Sequence, residues 1–336
     1  FFSLFKVNMP NHVKPVDVLS AAINAGVMKT HLPLLDLILR GLYAGFFLGI
    51  TASFNFQLTA ITGNAMTGGL LFFAGFMMII FYGFELVTGN MLVIPLALMA
   101  RRASWLGAVK NILIVYWSNF AGCMLAVSFF YGSFTHFGLI AGTAVKSGPS
   151  VIASAKGKTV DYYNDGGLGW CACFFKGIMC NFLVSFAVLG SIVSTSTTGK
   201  VAACWFPVAM FAVLGYEHVV VNMYTTPMSM CLGSGISQGL FWGWSIAPST
   251  LGNLFGAVVL VALPMWVTQG HEYRQKAREE KQVDNDKLSE SSESEELMDI
   301  EAASPAGNTS LVEQAPHGYQ YPGNNAVPNT PEIHHY

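Results

Sequence analysis

The sequence predicts an all-α membrane protein: six transmembrane helices in an inverted 3+3 repeat, with the second and fifth helices interrupted. Three observations carry this expectation. Hydrophobic residues make up 53% of the 336-residue chain and charged residues only 11%, against about 25% charged in soluble domains. Six apolar stretches reach the roughly 20 residues that a bilayer requires. One motif with buried polar residues occurs twice within those stretches, at a constant offset.

The elements follow in order. Residues 1–30 are mixed in character and read as a cytosolic lead-in. The apolar spans lie near 33–58, 69–100, 104–134, 168–195, 201–232 and 246–269, inside a transmembrane domain of residues 31–270. Of 19 acidic residues only Asp17, Asp36, Glu85, Asp161, Asp165 and Glu217 precede residue 270. Residues 271–336 are therefore acidic, and rich in Ser and Pro. They have too little apolar surface to fold alone and are expected as a disordered cytosolic tail. In it, the run Ser289–Glu296 reads as solvated, and Asn308-Thr309-Ser310 as an unused glycosylation acceptor.

Basic residues set the orientation, because cytoplasmic loops accumulate Lys and Arg. Lys6, Lys14 and Lys29 precede the first span, Arg101, Arg102 and Lys110 follow the second, and Lys200 follows the fourth. Arg274, Lys276, Arg278 and Lys281 follow the sixth. Both termini are expected in the cytoplasm and no cleavable leader is read. Lys146, Lys156 and Lys158 fall on the disfavoured side, which invites a functional explanation.

The repeat is G-[FY]-E-x4-N-M-x3-P. It runs from Gly83-Phe84-Glu85 through Asn90-Met91 to Pro95, and again from Gly215-Tyr216-Glu217 through Asn222-Met223 to Pro227, at an offset of 132 residues (85 to 217, 90 to 222, 95 to 227). Asn119-Phe120-Ala121-Gly122 and Asn253-Leu254-Phe255-Gly256 echo each other likewise. Pairing spans 1–3 with 4–6 puts an odd number in each half, so the second half enters from the opposite side. Pro95 and Pro227 are expected to break their helices, with Gly83, Gly89 and Gly215 weakening the same region. Spans 2 and 5 are also over-long: about 31 residues at 1.5 Å reach roughly 46 Å, against a core near 30 Å. Half-helices pointing their positive N-termini at the midplane would favour an anion there.

Ionisable residues within a membrane are costly and mark function. The interior cases are Glu85, Glu217 and His218, with Lys176 near the edge. His218 aligns with Leu86 in the repeat, so the copies differ at the residue that follows the glutamate. Buried glutamates need partners. Lys29, and either Lys156 or Lys158, precede spans 1 and 4 at equivalent places and are the candidates. Phe72, Phe76, Phe206 and Phe211 line up near the breaks. Gly41, Gly45 and Gly49, and Gly252 and Gly256, form stripes suited to close helix packing. The six cysteines read as packing residues, with no metal cluster and no nucleophile–base pair, so an enzyme is not expected.

The strings Gly83-Phe84-Glu85-Leu86-Val87-Thr88-Gly89-Asn90, Leu214-Gly215-Tyr216-Glu217-His218 and Asn222-Met223 together resemble the formate/nitrite transporter family. Leu251-Gly252-Asn253 and Lys176-Gly177-Ile178-Met179-Cys180-Asn181 extend the match over about residues 25–270. The tyrosine before Glu217 and the tail resemble the apicomplexan lactate-exporting branch. The resemblance implies an aquaporin-like subunit in a homopentamer, with one pore per subunit. It implies His218 as the proton-linked residue with Thr88 beside it, and Asn90 and Asn222 as polar contacts of the interrupted helices. Phe76 and Phe211 match constriction positions, flanked by Phe72 and Leu86, and Lys29 matches an inner vestibular lysine. For the outer one, Asp165 occupies the usual spacing, and an insertion around 159–167 restores Lys156 or Lys158. Val87 stands where the family commonly has phenylalanine.

The expected activity is proton-coupled transport of small monocarboxylates (L-lactate and formate, with pyruvate and acetate as further candidates) across the plasma membrane. The partners are that substrate, the proton, the lipid bilayer and further copies of the chain. No cofactor and no nucleic acid is expected. The alternative is an aquaporin-type channel for small neutral solutes, against which the lack of Asn-Pro-Ala and the presence of His218 both count.

Overall fold

The computed structural model describes residues 13–303, and every regular element among them is helical. Helix α1 (Pro15–Thr30) has proline in its first turn, where the missing N–H is no loss, and packs Leu19, Ala22 and Ile23 into the core against α5 (Val87–Met99). The long helix α2 (Leu34–Thr62) follows, closed by Gly63 in the left-handed region. Then come α3 (Ala65–Leu71), capped by the Asn64 side chain, and α4 (Phe73–Phe81), which precede α5. Helix α6 (Trp105–Thr135) is capped by Ser104.

Short helices α7 (Gly148–Gly157) and α8 (Val160–Asn164) lead into α9 (Gly166–Val193). Helices α10 (Thr197–Val213) and α11 (Val219–Cys231) come next. The last helical stretch joins α12 (Gln238–Leu240), α13 (Ala247–Ala257) and α14 (Leu263–Ala303) through π-helical turns at Phe241–Ile246 and Val258–Ala262. A compact unit ends at Glu279; residues 280–303 belong to a second unit and are helical. The last apolar span was read to end at 269, and its helix continues to Ala303, taking in Ser289–Glu296. The Asn308 acceptor and residues 304–336 lie outside the described residues.

Helices α2, α6, α9 and the stretch 238–287 are long and apolar enough to cross a membrane. The two over-long spans are instead pairs of shorter helices, α4 with α5 and α10 with α11, separated by five residues each (82–86 and 214–218). The breaks do not fall at the prolines: Pro95 and Pro227 lie within α5 and α11. They fall at Gly83 and Gly215, both at φ +64°. A side chain there would meet the following carbonyl, so glycine turns the chain at least cost.

The outer surface is not that of a water-soluble protein. Leu35, Trp105, Leu106, Phe129 and Phe175 are exposed, while Glu85, Asn90, Asn119, Asn181, Glu217, His218, Asn222 and Asn253 are buried within an otherwise hydrophobic core. An apolar outer surface suits lipid, where buried polar groups must find their partners within the protein. The chain is an integral membrane protein. Its glycine stripes pack within one subunit: Gly45 lies on the backbone of Asn119, joining α2 to α6, and Gly256 lies on that of Ile178, joining α13 to α9.

Candidate functional site

The two breaks are secured by matching hydrogen bonds. After Gly83 turns the chain, Phe84 N–H returns to the Ile79 carbonyl at 3.0 Å; after Gly215, Tyr216 N–H returns to Phe211 at 3.0 Å. The next residue is a glutamate in each case. Glu85 N–H donates to the Arg40 carbonyl at 3.2 Å and Glu217 N–H to the Lys176 carbonyl at 3.4 Å. One asparagine then spans each break. Asn119 donates to the carbonyls of Gly41 and Glu85 and accepts from Val87 N–H, the first amide of α5. Asn253 does the same with Gly177, Glu217 and Val219, the first residue of α11. Unpaired backbone groups at membrane depth cost several kcal/mol each, so these side chains make the interruptions tolerable.

The glutamates follow one plan. Lys29 reaches Glu85 Oε1 at 2.5 Å and Asn90 donates to Oε2 at 2.8 Å. Lys158 reaches Glu217 Oε2 at 2.7 Å and Asn222 donates to the same oxygen at 2.8 Å. Both carboxylates are almost fully buried, at 2% and 1% exposure. Of the two candidate outer lysines it is Lys158 that pairs. Lys156 is exposed, because α7 ends at Gly157 and the chain turns at Lys158 towards the site.

Two cavities approach the centre. One of about 390 Å³ is lined by Lys158, Phe72, Phe211 and His218. The other, of about 690 Å³, is lined by Lys29, Arg40, Glu85, Leu86, Phe76 and Lys200 among others. His218 and Leu86, the mismatched pair of the repeat, thus lie on opposite sides of the divide. Thr88 lines neither cavity, and its hydroxyl is 3.1 Å from His218 Nε2. Val221 N–H donates to His218 Nδ1 at 3.4 Å, so the ring proton sits on Nε2 and faces Thr88. His218 is the N-cap residue of α11, and Thr88 lies in the first turn of α5. The positive ends of two helices therefore meet at this bond.

The aromatic ring set is smaller than the sequence predicts. Phe211 stacks on His218 with centroids 5.7 Å apart, and Phe72 meets Phe211 edge-on at 5.8 Å. Phe76 is buried on the other side. Phe206 does not join them: it is 64% exposed, on the outward face of α10.

Residues 16–267 match the sequence profile of the formate/nitrite transporter family. The chain belongs to that family. Among formate/nitrite transporter relatives, a probable formate transporter of Methanothermobacter thermautotrophicus is 29% identical, over 76% of this chain and 96% of its own length. A formate-nitrite transporter of Plasmodium falciparum is 26% identical, over 75% and 83% respectively. Among solved structures, a pentameric formate channel with formate bound superposes with a TM-score of 0.55 at 25% identity, over 70% of this chain and 96% of that one. An ion channel of the same family, 21% identical, reaches a TM-score of 0.63 and shares the fold.

Some residues at this formate/nitrite transporter site escape a reading of the sequence. Tyr162, on the five-residue α8, donates to Glu217 Oε1 at 2.7 Å and accepts from Lys176 Nζ at 3.1 Å. Burial, and then the Glu217 charge, raise its phenol well above the usual value, so it keeps its proton. Asn111 accepts from Asn90 and donates to the Lys29 carbonyl, both at 2.8 Å. Asn181 ties the Thr88 carbonyl to that of Asn253. The repeated Asn-x-x-Gly pattern signalled Asn119 and Asn253. Nothing local signals Tyr162, whose neighbours lie 14 and 55 residues away.

Proposed function

We propose that the chain is a proton-coupled transporter of small monocarboxylates, formate and L-lactate first, with pyruvate and acetate as larger or less polar variants. The observation that carries this reading is the meeting of two helix N-termini at Thr88 and His218, between two cavities that are each lined by the lysine of a lysine–glutamate pair. Positive helix ends at low dielectric attract an anion. A carboxylate entering that constriction loses water, which favours its neutral form. It then takes up a proton from water, directly or relayed through His218, which is reprotonated in the same step, and passes Phe76, Phe72, Phe211 and Leu86 as the acid. Asn90 and Asn222 hold the glutamates in place during passage. Acid and proton move together, so both gradients drive the flux.

The wider reading goes with it. The chain crosses the membrane six times as an aquaporin-like inverted 3+3 repeat spanning 31–270, with residues 1–30 and 271–336 and both termini in the cytoplasm. The subunits form a homopentamer in the plasma membrane. Kinship with a probable formate transporter and likeness to a channel with formate bound support formate as the substrate. The case for lactate rests on Gly215-Tyr216-Glu217-His218, the string that resembles the apicomplexan lactate-exporting branch.

The test is uptake of labelled formate and L-lactate in cells lacking their own carriers, across external pH, for wild type and His218→Ala. Uptake rises as the external pH falls in wild type, and this dependence is lost in the variant. Uptake that is unchanged between acidic and alkaline buffer overturns the reading. Osmotic swelling without acid flux supports a neutral-solute channel instead.

A further inference from the structure

The two lysine–glutamate pairs look alike, but their carboxylates are held differently. On Glu85, Oε1 is reached by Lys29 alone, and the Asn90 amide on Oε2 is shared with Asn111. On Glu217, Lys158 and Asn222 share Oε2, and Oε1 is held separately by Tyr162. Lys176 stands behind the phenol at 3.1 Å, with its charge 5.3 Å from the ring centroid. Removing Lys29 therefore strips one oxygen of its donor. Removing Lys158 leaves each oxygen of Glu217 with one donor and a second cation close by.

A buried carboxylate without donors is costly enough to decide which lysine can move. Lys158 can leave Glu217 for an incoming anion at small cost; Lys29 cannot leave Glu85. We propose that Tyr162 is a positioning residue: it holds Glu217 while Lys158 swings to an entering carboxylate, making Lys158 a movable capture group and Lys29 a fixed post. The substrate class follows from the transport reading above, on which this inference rests. An ammonium that leaves a carboxylate needs another acceptor of opposite charge, so the entering species at this mouth is the anion, and neutralisation comes later, at His218. The two mouths of the pathway are then unequal. Entry past Lys158 depends on the Tyr162 hydroxyl, and entry past Lys29 does not.

Tyr162→Phe removes the hydroxyl and keeps the ring. Without it Glu217 Oε1 has no donor, and Lys158 is pinned. The half-saturation concentration for labelled formate entering by the Lys158 mouth then rises about tenfold to a hundredfold, the factor of one charge-assisted hydrogen bond. The maximal rate in that direction stays at the wild-type value; in the opposite direction the half-saturation stays at the wild-type value and the maximal rate falls by the same factor, as reversibility requires. Influx and efflux measured in the same cells give both numbers. Lys176→Gln, which leaves the phenol without its cation, shifts the same direction by a smaller factor and decides the matter if Tyr162→Phe does not reach the membrane. No shift, an equal shift in both directions, or a loss of maximal rate alone overturns the inference while leaving transport intact. A wild-type chain that carries no formate overturns the transport reading itself.

Discussion

Thr88 and His218 lie 130 residues apart in the chain and 3.1 Å apart in space. Each lies at the start of a different half-helix, and their bond joins the two halves of the molecule. Thr88→Val keeps the shape and removes the bond, worth about 1 kcal/mol. Formate flux through this variant is expected to fall severalfold, with unchanged assembly by size exclusion. Thr88→Ser restores most of it. Flux at the wild-type level in the valine variant removes the hydroxyl from the path.

Gly83 and Gly215 make the two breaks possible, so alanine at either position is strained. Each substitution costs about 1–2 kcal/mol, read as a lowered thermal transition of the purified protein. Pro95→Ala and Pro227→Ala, whose prolines sit within helices, are expected to leave both breaks and the flux in place. A proline variant whose thermal transition falls as far as that of the glycine variants, with loss of flux, would move the origin of the breaks back to the prolines.

Asn119→Ala and Asn253→Ala each remove three hydrogen bonds from buried backbone. About 3 kcal/mol or more is lost in each case. The two variants are expected to fail alike, since the asparagines have equivalent partners. Yield and thermal stability measure this, and a stable, fully active Asn253→Ala would show that water can replace the side chain.

Lys29→Gln leaves Glu85 buried without its charge partner, at a cost of about 2–4 kcal/mol for a pair of this burial. Adding Glu85→Gln removes the orphaned charge and is expected to recover the stability. Transport is not recovered, because the cavity has lost its fixed cation. If the double variant regains full flux, the pair serves the fold alone.

Deleting residues 280–336 removes the second unit and leaves Lys276 with its bond to Asp17, at 2.5 Å. The truncated chain is expected to keep its pH-driven flux. Loss of flux with normal surface delivery would give the tail a part in transport.

The sequence by itself determined the membrane setting, the helical class, the doubled motif and the central histidine. These follow from local quantities: the length of apolar runs, and the rarity of Glu and His within them. It also placed Asn119 and Asn253 in the argument, because the repeat displays them twice. Four matters were decided only by the tertiary structure. The helices break at glycine rather than proline, since a positive φ reverses the chain while a proline is absorbed within a half-helix. Lys158 rather than Lys156 meets Glu217, because that depends on where α7 ends and how α8 turns back. Phe206 faces outward although it lies close in sequence to the buried Phe211, since the face of a helix is set by what it packs against. Tyr162 joins the site from a segment with no pattern of its own. A hydrogen bond between residues far apart in sequence leaves no mark on either neighbourhood, and that is why the repeat was legible while the difference between its two halves was not.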